Sequence, residues 1–247
     1  MGGRRFVVVL AILAAAGFAG RAVYILAVTS HEHGFYDRAY YTTQAEALAD
    51  GRGFTNTGLF GKRGTPDALH PPLTTITLAP VAWATDDSEI AYRFTVALAG
   101  IGVVLLIGLI GREVVGPRAG LIGAGFAAVY PNLWMNDGLV MSETFAALGT
   151  AATIFCTYRL IRDPTWKNAA GAGVACALAM FSRAELVLLI PLLIVPAALT
   201  IRGLRQAQRV RLTGVAIAMA LLVVAPWVGF NMTRFDRPCS CPTVTPE

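Results

Sequence analysis

The chain has 247 residues, 55% of them hydrophobic and only 14% charged, with a mean hydropathy of +0.60. Soluble domains carry about 25% charged residues, so this composition excludes an ordinary soluble protein. The formal charge of +5 does not indicate nucleic-acid binding, because the arginines punctuate apolar runs instead of forming a patch. Residues 94–111, 119–136, 144–158, 168–182, 186–201 and 212–233 contain no Asp, Glu, Lys or Arg. Each approaches, alone or with its flanks, the roughly 20 apolar residues that a bilayer span needs. A charge at mid-bilayer costs at least ~2.5 kcal/mol, so charge-free runs are what lipid selects.

The first apolar run follows Arg4 and Arg5 and has the outline of a signal peptide. The apolar pattern resumes after Arg21 with AVYILAVT, which favours an uncleaved first span over residues 6–29. Arg21 must then snorkel or face protein. Residues 30–90 form a long loop. Within it, AYYTTQAEALAD reads as a helix, with Tyr41, Ala45 and Leu48 at three-to-four spacing. Asp37 stands where an N-cap stands and Gly51 where a C-terminal glycine does. GRGFTNTGLFGKRGTPDA is glycine-rich and turn-like. HPPLTTITLAPVAWA opens on two prolines and is too short to span, so it fits an interfacial or re-entrant helix. Six further spans are expected at 91–111, 119–136, 143–160, 168–182, 186–201 and 212–230, the fifth and sixth spans of the chain forming a tight hairpin tipped by RAE at 183–185. The expected class is therefore all-α, a polytopic membrane helix bundle of about seven spans. Residues 1–233 make one membrane domain. Residues 234–247 make a polar, proline-rich tail, disordered or the product of a truncation.

Arginine placement sets the expected orientation. With the N-terminus cytoplasmic, eleven basic residues fall inside: Arg4, Arg5, Arg112, Arg118, Arg159, Arg162, Lys167, Arg202, Arg205, Arg209 and Arg211. The short connections outside carry Arg183 alone, with Arg234 and Arg237 in the tail. Loop 30–90 is then extracytoplasmic.

Ionisable groups gather on that outer side: Asp37, His70, Asp137, Glu143, Arg183 and Glu185. A carboxylate at a water–lipid boundary is suited to act as general base for a hydroxyl, and arginine to hold a phosphate. Each residue also has a purely structural reading. Asp37 would cap its helix, His70 would be a loop or interfacial residue, and Asp137 a turn residue in N-D-G. Glu143 would favour the helix dipole behind a Ser142 cap, and Arg183 with Glu185 would be a rim pair. Tyr and Trp residues 36, 40, 41, 83, 130, 134 and 227 suit an interfacial belt. Cys156 and Cys176 read as small core residues, and Cys239 and Cys241 form a lone C-x-C. No phosphate loop G-x-x-x-x-G-K, no H-E-x-x-H and no G-x-S-x-G is present, so nucleotide-driven transport, zinc protease and serine hydrolase chemistry lack support.

The order of Y36-D37, YY…A…LADGRGF (40–54), HPPL (70–73), GREVVGPRAGL (111–121), YPNLW (130–134) and DGLVMSET (137–144) resembles bacterial integral-membrane glycosyltransferases of the C superfamily. FSRAE (181–185) and PWVGFNMTRFDRP (226–238) also match. That group includes protein O-mannosyltransferases and lipid A aminoarabinose transferases. The resemblance implies transfer of a sugar from a polyprenyl-phosphate carrier to a hydroxyl acceptor at the outer face of the plasma membrane. It maps a base onto Asp37 and a second acidic position onto Asp137 or Glu143. Tyr40, Tyr41, His70, Arg183 and Glu185 are the candidates for contacting substrate. Some members use a divalent metal, which here would involve His70 at most; no metal or other cofactor is expected. The implied partners are the carrier-linked donor, membrane lipids and an unidentified hydroxyl acceptor, not nucleic acid. Such enzymes usually run to about twice this length, which is the reason for expecting a truncated form. The rival readings are a transporter or flippase component, and an inactive membrane fragment.

Overall fold

The computed structural model describes residues 2–29 and 36–235. The tail from 236 on, with Cys239 and Cys241, lies outside the described residues, as does the side chain of Tyr36. The described residues are all-helical, with one isolated bridge between Thr55 and Pro66. The helices are α1 (Gly3–Ala27), α2 (Tyr36–Ala49), α3 (Leu73–Thr85), α4 (Glu89–Val114), α5 (Pro117–Val129), α6 (Pro131–Gly138), α7 (Ser142–Arg162), α8 (Trp166–Met180), α9 (Val195–Leu199) and α10 (Gln206–Met232). Of these, α1, α4, α7 and α10 are long and apolar enough to cross a membrane, at 25, 26, 21 and 27 residues.

Two expected spans are interrupted, and proline explains both. The run 119–136 breaks at Tyr130, whose ψ of 115° is extended as a residue before proline prefers, and Pro131 then starts α6. The segment 186–201 is irregular: a 3-10 turn Ala184–Leu188, a π turn Ile190–Ile194, then α9. Pro191 and Pro196 each remove an N–H from the helical ladder there.

Contacts sort the helix ends into two sets. At one end Arg112 lies over the Phe6 ring at 4.9 Å, Arg162 pairs with Glu113, and Arg209 donates to the Leu199 carbonyl at 3.0 Å. This end carries the arginines expected on one side. At the opposite end the Tyr24 and Trp134 rings meet at 4.8 Å, Leu73 N–H donates to the Phe181 carbonyl at 2.9 Å, and α2 and α3 pack over the bundle.

Small residues bring the long helices together, as is usual where no hydrophobic drive separates helix from lipid. A Cβ on Gly120 would stand 2.3 Å from the Gly108 carbonyl oxygen, and one on Gly149 2.6 Å from Ala179 Cα. Buried threonine hydroxyls stay inside their own helix: Thr153 and Thr157 each donate to the carbonyl four residues earlier at 2.7 Å. Large apolar side chains such as Leu98, Phe126 and Leu222 point outward, as a hydrocarbon solvent requires.

Candidate active site

The site is built on α2 and α3, which lie across the loop-bearing end. Beneath them Tyr40, Tyr41, Ala45, Leu78 and Ala82 form one buried cluster with Tyr92 and Val96 of α4 and Phe145 of α7. Asp37 lies in the first turn of α2, inside the helix instead of ahead of it. Gly51, with φ +74°, ends the helix as expected, and Arg52 N–H returns to the Ala47 carbonyl at 2.9 Å.

The glycine-rich stretch that follows folds as a hairpin-like loop. Asn56 pairs with Thr65 and Gly64 through its backbone at 2.8 and 2.9 Å, while its side chain accepts from Gly58 N–H at 2.8 Å. The loop is clasped to the last turns of α10. The Phe54 ring meets Trp227 at 4.7 Å, and the Phe54 carbonyl accepts from Arg234. Buried Asp67 then turns the chain back: it accepts from Gln44 Nε2 at 2.9 Å and from Leu69 N–H at 3.0 Å.

This return places His70 against α2. Its ring lies 4.7 Å from Tyr40 and 5.2 Å from Tyr41, and its Nε2 is 3.9 Å from Asp37 Oδ1. Burial pushes the imidazole below its usual range, and Asp37 opposes that shift. The two tyrosines are buried, at 3% and 1% exposure. Burial raises both phenols, Tyr41 to about 12, so they remain protonated donors. The Asp37 side chain is 46% exposed, leaving its carboxylate open to an approaching hydroxyl.

Glu143 and Arg183 form the facing wall. Arg183 Nη1 donates to Glu143 Oε1 at 2.6 Å and its Nε to Glu185 Oε1 at 2.7 Å. Hydrogen bonding to Glu185, reinforced by Glu143, raises the guanidinium further. Ser142, expected as a cap, is instead the first residue of α7, and its hydroxyl hydrogen-bonds with that of Tyr41. The charges of Asp37, Glu143 and Arg183 all act on both His70 and Tyr41, so these side chains lie near one another.

Asp137 stands apart. It ends α6 fully buried and pairs with Arg21 of α1 at 2.6 Å. Arg21 therefore faces protein. A cavity of about 150 Å³ lies beside Glu143, with Thr144, Asn132 and Asn136 also in its lining. Sequence reading missed Asp67, and also Arg38, which pairs with Glu89 and fastens α2 to the start of α4. Neither sits in a motif, and the pairing partners are remote in sequence. Among the described residues no three His, Cys, Asp or Glu side chains gather as a metal site would need; Asp37 and His70 supply only a pair.

The profile of the family described as dolichyl-phosphate-mannose-protein mannosyltransferase matches residues 69–230. That region holds His70, Asp137, Glu143, Arg183 and Glu185, and leaves Asp37, Tyr40 and Tyr41 ahead of it. No curated protein sequence matches this one. Among solved structures, the apo crystal structure of the Archaeoglobus fulgidus oligosaccharyltransferase is similar, with a TM-score of 0.66 over 90% of this chain at 16% identity. The chain spans 29% of that protein's length, and at this identity the likeness is one of fold.

Proposed function

Because this chain belongs to the dolichyl-phosphate-mannose-protein mannosyltransferase family, a group of membrane glycosyltransferases, we propose that it transfers a sugar from a polyprenyl-phosphate carrier to a hydroxyl acceptor. The transfer takes place at the extracytoplasmic face of the plasma membrane. Support for that sidedness comes from the arginine-rich opposite end, which the positive-inside rule keeps cytoplasmic together with the N-terminus.

The observation that carries the reading is the open Asp37 carboxylate beside neutral His70, with Arg183 among the charges acting on the same imidazole. Asp37 accepts the proton of the acceptor hydroxyl as its oxygen attacks the anomeric carbon. The bond from that carbon to the carrier phosphate oxygen breaks, and the electron pair leaves with the phosphate. The anomeric configuration is inverted. Arg183, a fork already aligned by two carboxylates, presents its remaining N–H groups to the phosphate. Glu143 holds that fork. Tyr40 and Tyr41 wall the notch and keep His70 in place.

The test is Asp37→Asn in membranes containing the chain, with transfer from a radiolabelled polyprenyl-phosphate sugar as readout. Loss of a general base lowers the rate by about 10²–10⁴-fold. Undiminished transfer removes Asp37 from the chemistry.

A further inference from the structure

Arg21 sits in a helix that is otherwise apolar along most of its 25 residues. Arg21 and Asp137 are 1% and 0% exposed. Both oxygens of Asp137 are engaged: Oδ2 accepts from Arg21 Nε and Oδ1 from the Thr144 hydroxyl, each at 2.6 Å. Arg21 Nη1 also donates to the Gly17 carbonyl at 3.2 Å and to the Ala128 carbonyl at 3.5 Å. Helices α1, α5, α6 and α7 thus converge on one ion pair. Gly100 of α4 provides the room, since a Cβ there would stand 2.3 Å from Asp137 Oδ2.

A buried ion pair is a weak source of stability, because desolvation offsets its attraction. Its distinctive property is fixed geometry, and the geometry it fixes is the turn between α6 and α7. Val140 in that turn is 1% exposed and has φ +56°, a conformation a β-branched residue enters only when its surroundings impose it. Asp137 and Thr144 bracket the strained residue from either side. Glu143, bonded to Arg183, precedes Thr144 directly.

We propose that Arg21, Asp137 and Thr144 form a positioning network that holds this strained turn so that Glu143 meets Arg183. Asp137 exchanges no proton with substrate. The catalytic consequence rests on the transferase reading above; the geometric one does not.

The geometric arm uses the full chain with Cys156, Cys176, Cys239 and Cys241 replaced by alanine and with Glu143→Cys and Arg183→Cys introduced. Cross-linking by a short bis-maleimide is followed in membranes. Thr144→Val keeps the shape and the ion pair but removes the bridging hydroxyl. It is expected to slow cross-linking about 10-fold, and Thr144→Ser to restore it. An unchanged rate in Thr144→Val overturns the proposal. The catalytic arm keeps Glu143 and Arg183. There Thr144→Val lowers kcat/KM for the carrier-linked sugar about 10- to 100-fold, the scale of a small misplacement, and Thr144→Ser restores it. Asp137→Asn keeps the acid limb of the pH–rate profile; disappearance of that limb makes Asp137 a reacting group and overturns the proposal. If the unaltered chain transfers no sugar, the transferase reading fails while cross-linking still decides the network.

Discussion

Gly173→Ala sets two known effects against each other at the crossing of α8 and α10. Replacing a mid-helix glycine by alanine stabilises a helix by about 0.8–1.0 kcal/mol. At this position the added Cβ would lie 2.1 Å from the Ala216 carbonyl oxygen and 2.9 Å from its carbon. A tolerable carbon–oxygen contact is about 3.3 Å, so the backbone of α10 must retreat by about 1.2 Å. That retreat loosens the buried cluster of Ala169, Ala172, Cys176 and Ala216. Overpacking of this kind costs about 1–3 kcal/mol, which exceeds the propensity gain. With a backbone contact as short as 2.1 Å the cost lies in the upper part of that range, about 2–3 kcal/mol, so the expected net destabilisation is about 1–2 kcal/mol. Gly214→Ala, where nothing lies within 4 Å, carries the propensity gain alone. Thermal denaturation in one detergent should lower the midpoint by about 2–8 °C for Gly173→Ala and raise it by up to about 4 °C for Gly214→Ala. Equal shifts of the same sign would refute the backbone contact between α8 and α10.

Leu160→Ala empties a fully buried position between α7 and its neighbours and should cost about 2–5 kcal/mol in the same assay. Arg183→Gln should change stability by less than about 1 kcal/mol, because Arg183 and Glu143 are 42% and 35% exposed, while sugar transfer is lost. Burial lowers the folded-state pKa of His70, so the unfolded chain takes up the proton first as pH falls. The stability contributed by neutral His70 is therefore present above about pH 6.5 and lost as pH falls through the depressed value; His70→Gln should flatten that acid-side decline in thermal scans. Phe54→Ala unclasps the loop from Trp227, and limited proteolysis should cut at Lys62 or Arg63 sooner than in the unaltered chain.

Three of the four long helices were legible to within three residues at each end, while α10 starts six residues ahead of the expected 212. The expected 91–111 and 143–160 became Glu89–Val114 and Ser142–Arg162, because charge-free runs mark what lipid accepts. The helix pair α2 and α3 was legible from apolar spacing, glycine and proline. The break at Tyr130 was not, although Pro131 was the available signal; hydropathy is blind to a missing N–H. The fold supplied the pairing of Asp37 with His70 and of Glu143 with Arg183; that these residues share one end followed from topology. The separation of Asp137 from Glu143 did not, since a residue in N-D-G reads as an exposed turn. Its partner Arg21 is 116 positions away, and only the folded bundle brings them together.

The lid of two short helices stands on three feet, each on a different long element: Arg38 on Glu89 of α4, Leu73 on the end of α8, and Phe54 on the end of α10. A tripod cannot tilt unless one foot slides. Spanning helices do tilt when the hydrocarbon thickness changes. Tilting α4 or α10 against the others would therefore strain one of these feet before α2 and α3 could move.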